Sequence, residues 1–139
     1  MTKNLQTEER SVRIINTPSD EVRKSFFYVQ ETGYIKLGDS KATQRENLNS
    51  FLIVFVLGGT GSLEYDGRHY NLREGQAFFI DCSKKHSYRS SKDNPWEILW
   101  VHFNGATSKE YFNVFYQKSA AVFVPENSFS MENILRNII

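Results

Sequence analysis

Between about residue 25 and residue 103 the chain repeats one pattern, short apolar or aromatic runs broken by clusters of turn residues. The runs are 26–29, 34–37, 51–57, 77–80 and 96–103. Turn signals spaced about 8 to 12 residues apart mark an antiparallel sandwich or barrel, so strands are expected to dominate the middle of the chain. Two turns set the register. Gly58-Gly59-Thr60-Gly61 ends the 51–57 run with residues that tolerate positive φ, and Asp66-Gly67 is a two-residue hairpin signal between 62–65 and 68–72. Arg73-Glu74-Gly75 turns the chain into 77–80, residues 81–85 read as a polar loop, and a strand through His86, Tyr88 and Arg89 follows. Pro95 opens the last strand.

The final third changes period. Thr107-Ser108-Lys109-Glu110 fits a capping box ahead of a helix of about three turns, with Tyr111, Phe112, Val114 and Phe115 as its apolar face. A short strand over 121–124 stops at Pro125, and Ser130 can cap a second helix. In that helix Met131, Ile134, Leu135, Ile138 and Ile139 fall on one stripe. The stripe needs a partner surface, either a second copy through Met131, Ile134, Leu135 and Ile138 or the chain's own core. An apolar helix running to Ile139 with no Gly cap is expected to belong to a longer polypeptide.

The 139 residues, 40% hydrophobic and 14% aromatic, suit one ordered core and exclude a disordered chain. Seventeen Lys plus Arg against sixteen Asp plus Glu leave a net charge of +1, so the overall charge lacks the footprint of a nucleic-acid-binding domain. The single cysteine, Cys82, can close no disulfide within the chain and has no CxxC partner, which fits a reducing, cytoplasmic setting. Residues 1–11 carry Lys3, Glu8, Glu9 and Arg10 with Leu5 as the one sizeable apolar side chain, unlike a signal peptide. The longest apolar run falls far short of the roughly 20 residues of a membrane helix, so a soluble protein without a membrane partner is expected.

Catalytic signals are weak. His69, His86 and His102 show neither HxH nor HxxxH spacing, and no metal or other cofactor is expected. Cys82 sits near Lys84, Lys85 and His86, yet a lone cysteine in a polar loop does not make a nucleophile, and no catalytic residue is assigned. The basic residues Lys84, Lys85, Arg89 and Lys92 read as a solvated surface rather than an anion site. The informative segment is WEILWVHF at 96–103. Strand alternation puts Trp96, Ile98, Trp100 and His102 on one side and Glu97, Leu99, Val101 and Phe103 on the other. His86 and Tyr88 share a face of the preceding strand. If the two faces meet inside a barrel, they either line a site for a small polyhydroxylated or amphipathic ligand or simply fill the barrel.

The stretch 55–105, with the helix 109–117 after it, resembles the N-terminal effector-binding and dimerisation domain of AraC-type transcription regulators. The resemblance runs from about 26 to 139. It is carried by Gly59-Thr60-Gly61, Asp66-Gly67 with Tyr70 and Leu72, Gly75, His86 with Tyr88, and Trp96 followed by Trp100-Val101-His102-Phe103. It implies a mainly β fold, a cupin-like double-stranded β-helix (jelly-roll) barrel, followed by C-terminal α-helices, one of which pairs with its copy in a homodimer. It further implies a small effector in the barrel and DNA bound only through a separate C-terminal helix-turn-helix domain, which 1–139 does not contain. Metal-binding cupins carry HxH and Glu where this chain has about Arg45, Asn47 and Leu52, and only His86 matches their later histidine. Sugar-binding members of the family have Arg where this chain has Gly58 and His where it has Ile98, while Tyr88 and Trp100 match aromatic pocket positions.

The expected organisation is an N-terminal arm at 1–24, an effector-binding barrel at 25–106 and a helical dimerisation segment at 107–139. The expected ligand-binding residues are Tyr88, Trp100, His86, Trp96, Ile98 and His102. A sensor, not an enzyme, is the leading reading; a metal-dependent cupin enzyme or a dimerisation module without ligand are the alternatives.

Overall fold

The computed structural model describes residues 11–36, 42–45 and 47–139, with only the backbone described at 42–45. Residues 1–10 of the expected 1–24 arm, the end of the 34–37 run and the side chain of Arg45 therefore lie outside the described residues. In chain order the elements are β1 (Ser11–Ile15), α1 (Asp20–Ser25), β2 (Tyr28–Lys36), β3 (Ala42–Arg45), β4 (Phe51–Gly58), β5 (Thr60–Tyr65) and β6 (Arg68–Arg73). They continue with β7 (Ala77–Asp81), β8 (His86–Ser90), β9 (Glu97–Asn104), α2 (Ser108–Lys118), β10 (Val122–Phe123) and α3 (Ser128–Ile138).

The strands form two antiparallel sheets, one ordered β1-β2-β9-β4-β7-β10 and the other β3-β8-β5-β6. The β4 sequence explains why the first lies between two layers. Leu52, Val54 and Val56 alternate inward and join Leu63, Tyr65 and Leu72 of the second sheet in one core cluster. The intervening Phe51, Ile53 and Phe55 face the helices, so both faces of the strand are apolar because both are covered. On that outer side Phe112 of α2 lies 5.4 Å from Phe51 and 5.1 Å from Phe79, ring centre to ring centre. Leu135 of α3, 3% exposed, packs with Phe55, Leu99 and Val101. The hairpin between β5 and β6 turns at Asp66 (φ 50°) and Gly67 (φ 79°), the two positive dihedrals its sequence signal requires.

Several local expectations are corrected. The runs 26–29 and 34–37 belong largely to a single strand, β2, with a register shift between Val29 and Glu31. Residues 11–15 extend the six-stranded sheet by pairing with β2, and Ser19 caps α1 by accepting from the Val22 amide at 3.3 Å. Thr107 precedes α2 without a side-chain cap, because its backbone (φ −122°, ψ 16°) departs from the extended form the capping box needs. Asn127, not Ser130, caps α3; its Oδ1 accepts from the Ser130 amide at 3.0 Å. Cys82 lies in the turn after β7, as expected, but its side chain is fully buried in the core.

Candidate functional site

Strand alternation brings His86, Tyr88 and Ser90 of β8 to the inner side of one sheet and Ile98, Trp100 and His102 of β9 to the inner side of the other. Trp96, just before β9, and Ile98 are buried in the cluster between the sheets, and Tyr88 and Trp100 border it half-buried. The Tyr88 ring lies 5.7 Å from Phe78 and 6.3 Å from Trp96.

The two indoles have different surroundings. Trp96 is 1% exposed and lies on the backbone at Gly61, where an added Cβ would collide with its Cε3, and its own amide donates to Ser90 Oγ at 2.8 Å. Its position makes it part of the packing between β5 and β9. Trp100 lies across Gly33 of β2, where an added Cβ would come within 2.5 Å of Cζ2, and it keeps part of its surface open. Gly33 was not singled out in the sequence, although a glycine inside a strand is a known sign of close approach by another group.

Each of the two inner histidines is held through its Nδ1. His86 Nδ1 lies 2.9 Å from the Lys84 carbonyl oxygen, which can only accept, so Nδ1 carries the proton. In the neutral ring this leaves Nε2 as an acceptor, and that atom is buried with no hydrogen-bond partner among the described residues, in a residue only 1% exposed. His102 Nδ1 lies 3.0 Å from Ser50 Oγ, whose hydroxyl donates to the Phe51 carbonyl at 3.2 Å, so the histidine is the donor of that pair. On the same inner side, opposite His102 in the register, Glu31 pairs with Arg13 of β1 at 2.8 Å. That hydrogen bond and charge raise the Arg13 pKa further above its ordinary value. Deeper in the core, burial pushes the Tyr65 phenol well above the usual tyrosine range while its oxygen accepts from the Asp81 amide at 3.2 Å.

Among the described residues no three His, Cys, Asp or Glu side chains gather as a metal site. No helix of the described residues is long and apolar enough to cross a membrane. His69 sits outside the sandwich, exposed, 3.1 Å from Asn71 Oδ1. Taken singly, a buried imidazole acceptor can receive a hydroxyl proton, and a phenol and a half-open indole offer faces to an apolar ligand surface.

The family model described as the AraC-like ligand binding domain matches residues 29–136. The chain belongs to this family. It is 28% identical over 83 residues to the lactose operon transcription activator of Staphylococcus xylosus, an alignment covering 60% of this chain and 30% of that protein. The chain thus corresponds to less than a third of the activator's length. Among solved structures, YhaK from Escherichia coli superposes with a TM-score of 0.59 at 12% identity, over 82% of this chain and 49% of that one. A Cupin 2 conserved barrel domain protein from Salinispora arenicola gives 0.52 at 14% identity, over 77% and 85%. The Schizosaccharomyces pombe Cnp3 cupin domain gives 0.52 at 11%, over 82% and 77%. The two-sheet sandwich is therefore the cupin barrel that the resemblance implied, followed by C-terminal helices as expected.

Proposed function

We propose that this AraC-like domain is the sensory part of a transcription regulator and that it holds a small hydroxyl-rich effector, a sugar or related metabolite, between its two sheets. The observation that carries the reading is the buried acceptor at His86 Nε2. An unmet buried acceptor costs about 1 to 3 kcal/mol, and a ligand hydroxyl removes that cost, whereas a carboxylate brings no proton to donate. Trp100 and Tyr88 supply apolar faces on which the C–H side of a sugar ring stacks. His102 lies on the same inner side of β9 as Trp100, and Trp96 and Ile98 are packed in the core beside them. The likeness to the lactose operon transcription activator of S. xylosus also supports a sugar-class effector.

In this reading DNA is contacted through a C-terminal domain outside residues 1–139, and two copies pair through α3. The effector acts by its unequal affinity for two arrangements of the dimer, since binding free energy can shift an equilibrium only by that difference. The protein works in the cytoplasm without catalysis. The test is a thermal-melt screen of the 139-residue chain against mono- and disaccharides and sugar acids. A true effector at a hundredfold excess over its Kd stabilises by about 2.7 kcal/mol. Trp100→Ala and His86→Phe remove the shift, and the neutral sugar outperforms its acid. A panel without any shift, or a shift indifferent to both variants, defeats the sensor; stoichiometric bound metal lost on His86→Ala points to a cupin enzyme instead.

A further inference from the structure

The outward side of the four-stranded sheet carries a chemistry that the effector reading does not use. A concavity of about 700 Å³ lined by Ser62, His69, Asn71, Arg73, Arg89 and Lys92 among others lies across β5, β6 and β8. A second of about 480 Å³ continues it towards Lys85 and the hairpin end of the sheet, where Arg68 stands in register with Tyr65 and His86, and it shares His69 and Arg89 with the first. The two make one trough. Arg68 and Arg73 stand on its β6 side, with Lys85, Arg89 and Lys92 on its β8 side. Six residues of β6 run about 17 Å, and two strand spacings set the rows about 9 to 10 Å apart.

None of these five cations has an ion-pair partner among the described residues, whereas Arg13, Lys84 and Arg136 each have one. Glu64 is the one carboxylate lining the trough, and it lies 3.6 Å from His69. Of the chain's seventeen cations and sixteen carboxylates, setting aside these five and Glu64 leaves twelve against fifteen. The net charge of +1 thus hides a basic trough on an otherwise acidic molecule.

We propose that this trough binds the sugar-phosphate backbone of duplex DNA without reading its sequence. The neutral side chains between the cations, Ser62, Asn71, Gln76 and Ser91, are donors of the kind that contact phosphate oxygens. Its one aromatic lining residue apart from the histidines, Tyr65, is buried in the core, so the trough offers no aromatic platform for stacking single-stranded bases. Five cations with hydroxyl and amide donors between them suit the regular charges of a duplex backbone. The basic stretch read from the sequence as a solvated surface becomes a second, weak DNA contact of the sensory domain.

The experiment measures anisotropy of a fluorescein-labelled 24-base-pair duplex of arbitrary sequence with the 139-residue chain, from 25 to 200 mM KCl. Binding is expected at low salt, with log affinity falling linearly against log salt by about 0.9 per phosphate contacted. Arg73→Ala/Arg89→Ala/Lys92→Ala should weaken it about tenfold at 50 mM and flatten the slope by about three. Lys109→Ala/Lys118→Ala on α2 should change neither. Melting temperatures check that the variants fold; should the triple variant fail, Arg89→Ala and Lys92→Ala alone should each flatten the slope by about one. The proposal falls if no duplex binds at 25 mM, if trough and α2 variants behave alike, or if labelled poly-glutamate binds more tightly than the duplex at equal salt.

Discussion

Gly61 and Trp96 show how a single hydrogen atom in place of a side chain positions the inner wall of this barrel. A Cβ at Gly61 would collide with the Trp96 ring and come within 2.6 Å of the Arg89 carbonyl oxygen, backbone that cannot swing aside. Gly61→Ala should therefore cost about 1 to 3 kcal/mol in a chemical denaturation series, an overpacking penalty. Gly67→Ser, in open space, should cost only the strain of its positive φ. The Gly59-Thr60-Gly61 cluster was legible as a turn, but the second reason for its last glycine was not, because no local pattern says which ring will cross a given strand. Tyr65 carries a pH effect at the same scale. Its phenol is held neutral by burial, with a pKa raised above the ordinary value of 10.0. Below about pH 10 it is neutral whether folded or not; above, only the unfolded chain releases the proton readily, so stability falls as pH rises towards the raised folded value. The loss is up to about 1.4 kcal/mol per pH unit for this group. Alkaline unfolding followed by circular dichroism should show Tyr65→Phe lacking that part of the slope; an identical slope would mean that the buried phenol ionises freely.

At the scale of elements, periodicity was a better guide than capping chemistry. The apolar spacing located α2 and α3 to within a few residues, since a buried stripe is set by the tertiary core it meets. Caps depend on one dihedral pair, and the candidates at Thr107 and Ser130 lost to the backbone actually adopted. The expected consequence is a contrast. Asn127→Ala removes the acceptor that holds the Ser130 amide and should cost about 0.5 to 2 kcal/mol, while Thr107→Ala and Ser130→Ala should fall within about 0.5 kcal/mol of the parent. A loss at Ser130 with none at Asn127, measured by urea midpoints, would return the cap to Ser130. Strand β2 shows the complementary limit: its polar Gln30, Glu31 and Thr32 interrupt the apolar run, so the sequence suggests two strands where the register holds one. The ladder of β9 beside it maintains pairing through residues that a single-strand pattern discounts.

At the scale of the whole molecule, the dense turn punctuation and alternation made the sandwich legible, and the family pattern made it a cupin. The partners of α3 were not legible, because a stripe of five apolar residues states how much surface must be covered and not by what. Leu135 is buried against Phe55, Leu99 and Val101, and Met131 and Ile139 border that same cluster. Ile134 and Ile138 are 59% and 38% exposed. The helix thus has one face committed to its own sheet and another turned outward, and pairing of two copies must use the outward one. The two faces separate experimentally. Leu135→Ala should cost about 2 to 5 kcal/mol through a cavity under α3, whatever the oligomeric state. Ile134→Glu/Ile138→Glu should leave the far-ultraviolet spectrum unchanged and shift sedimentation from a concentration-dependent dimer to a monomer, because each glutamate would then meet its copy inside a desolvated contact. A parent chain that sediments as a monomer throughout, or a double variant that still pairs, would mean that α3 serves only its own barrel and that any dimer of this domain is built elsewhere.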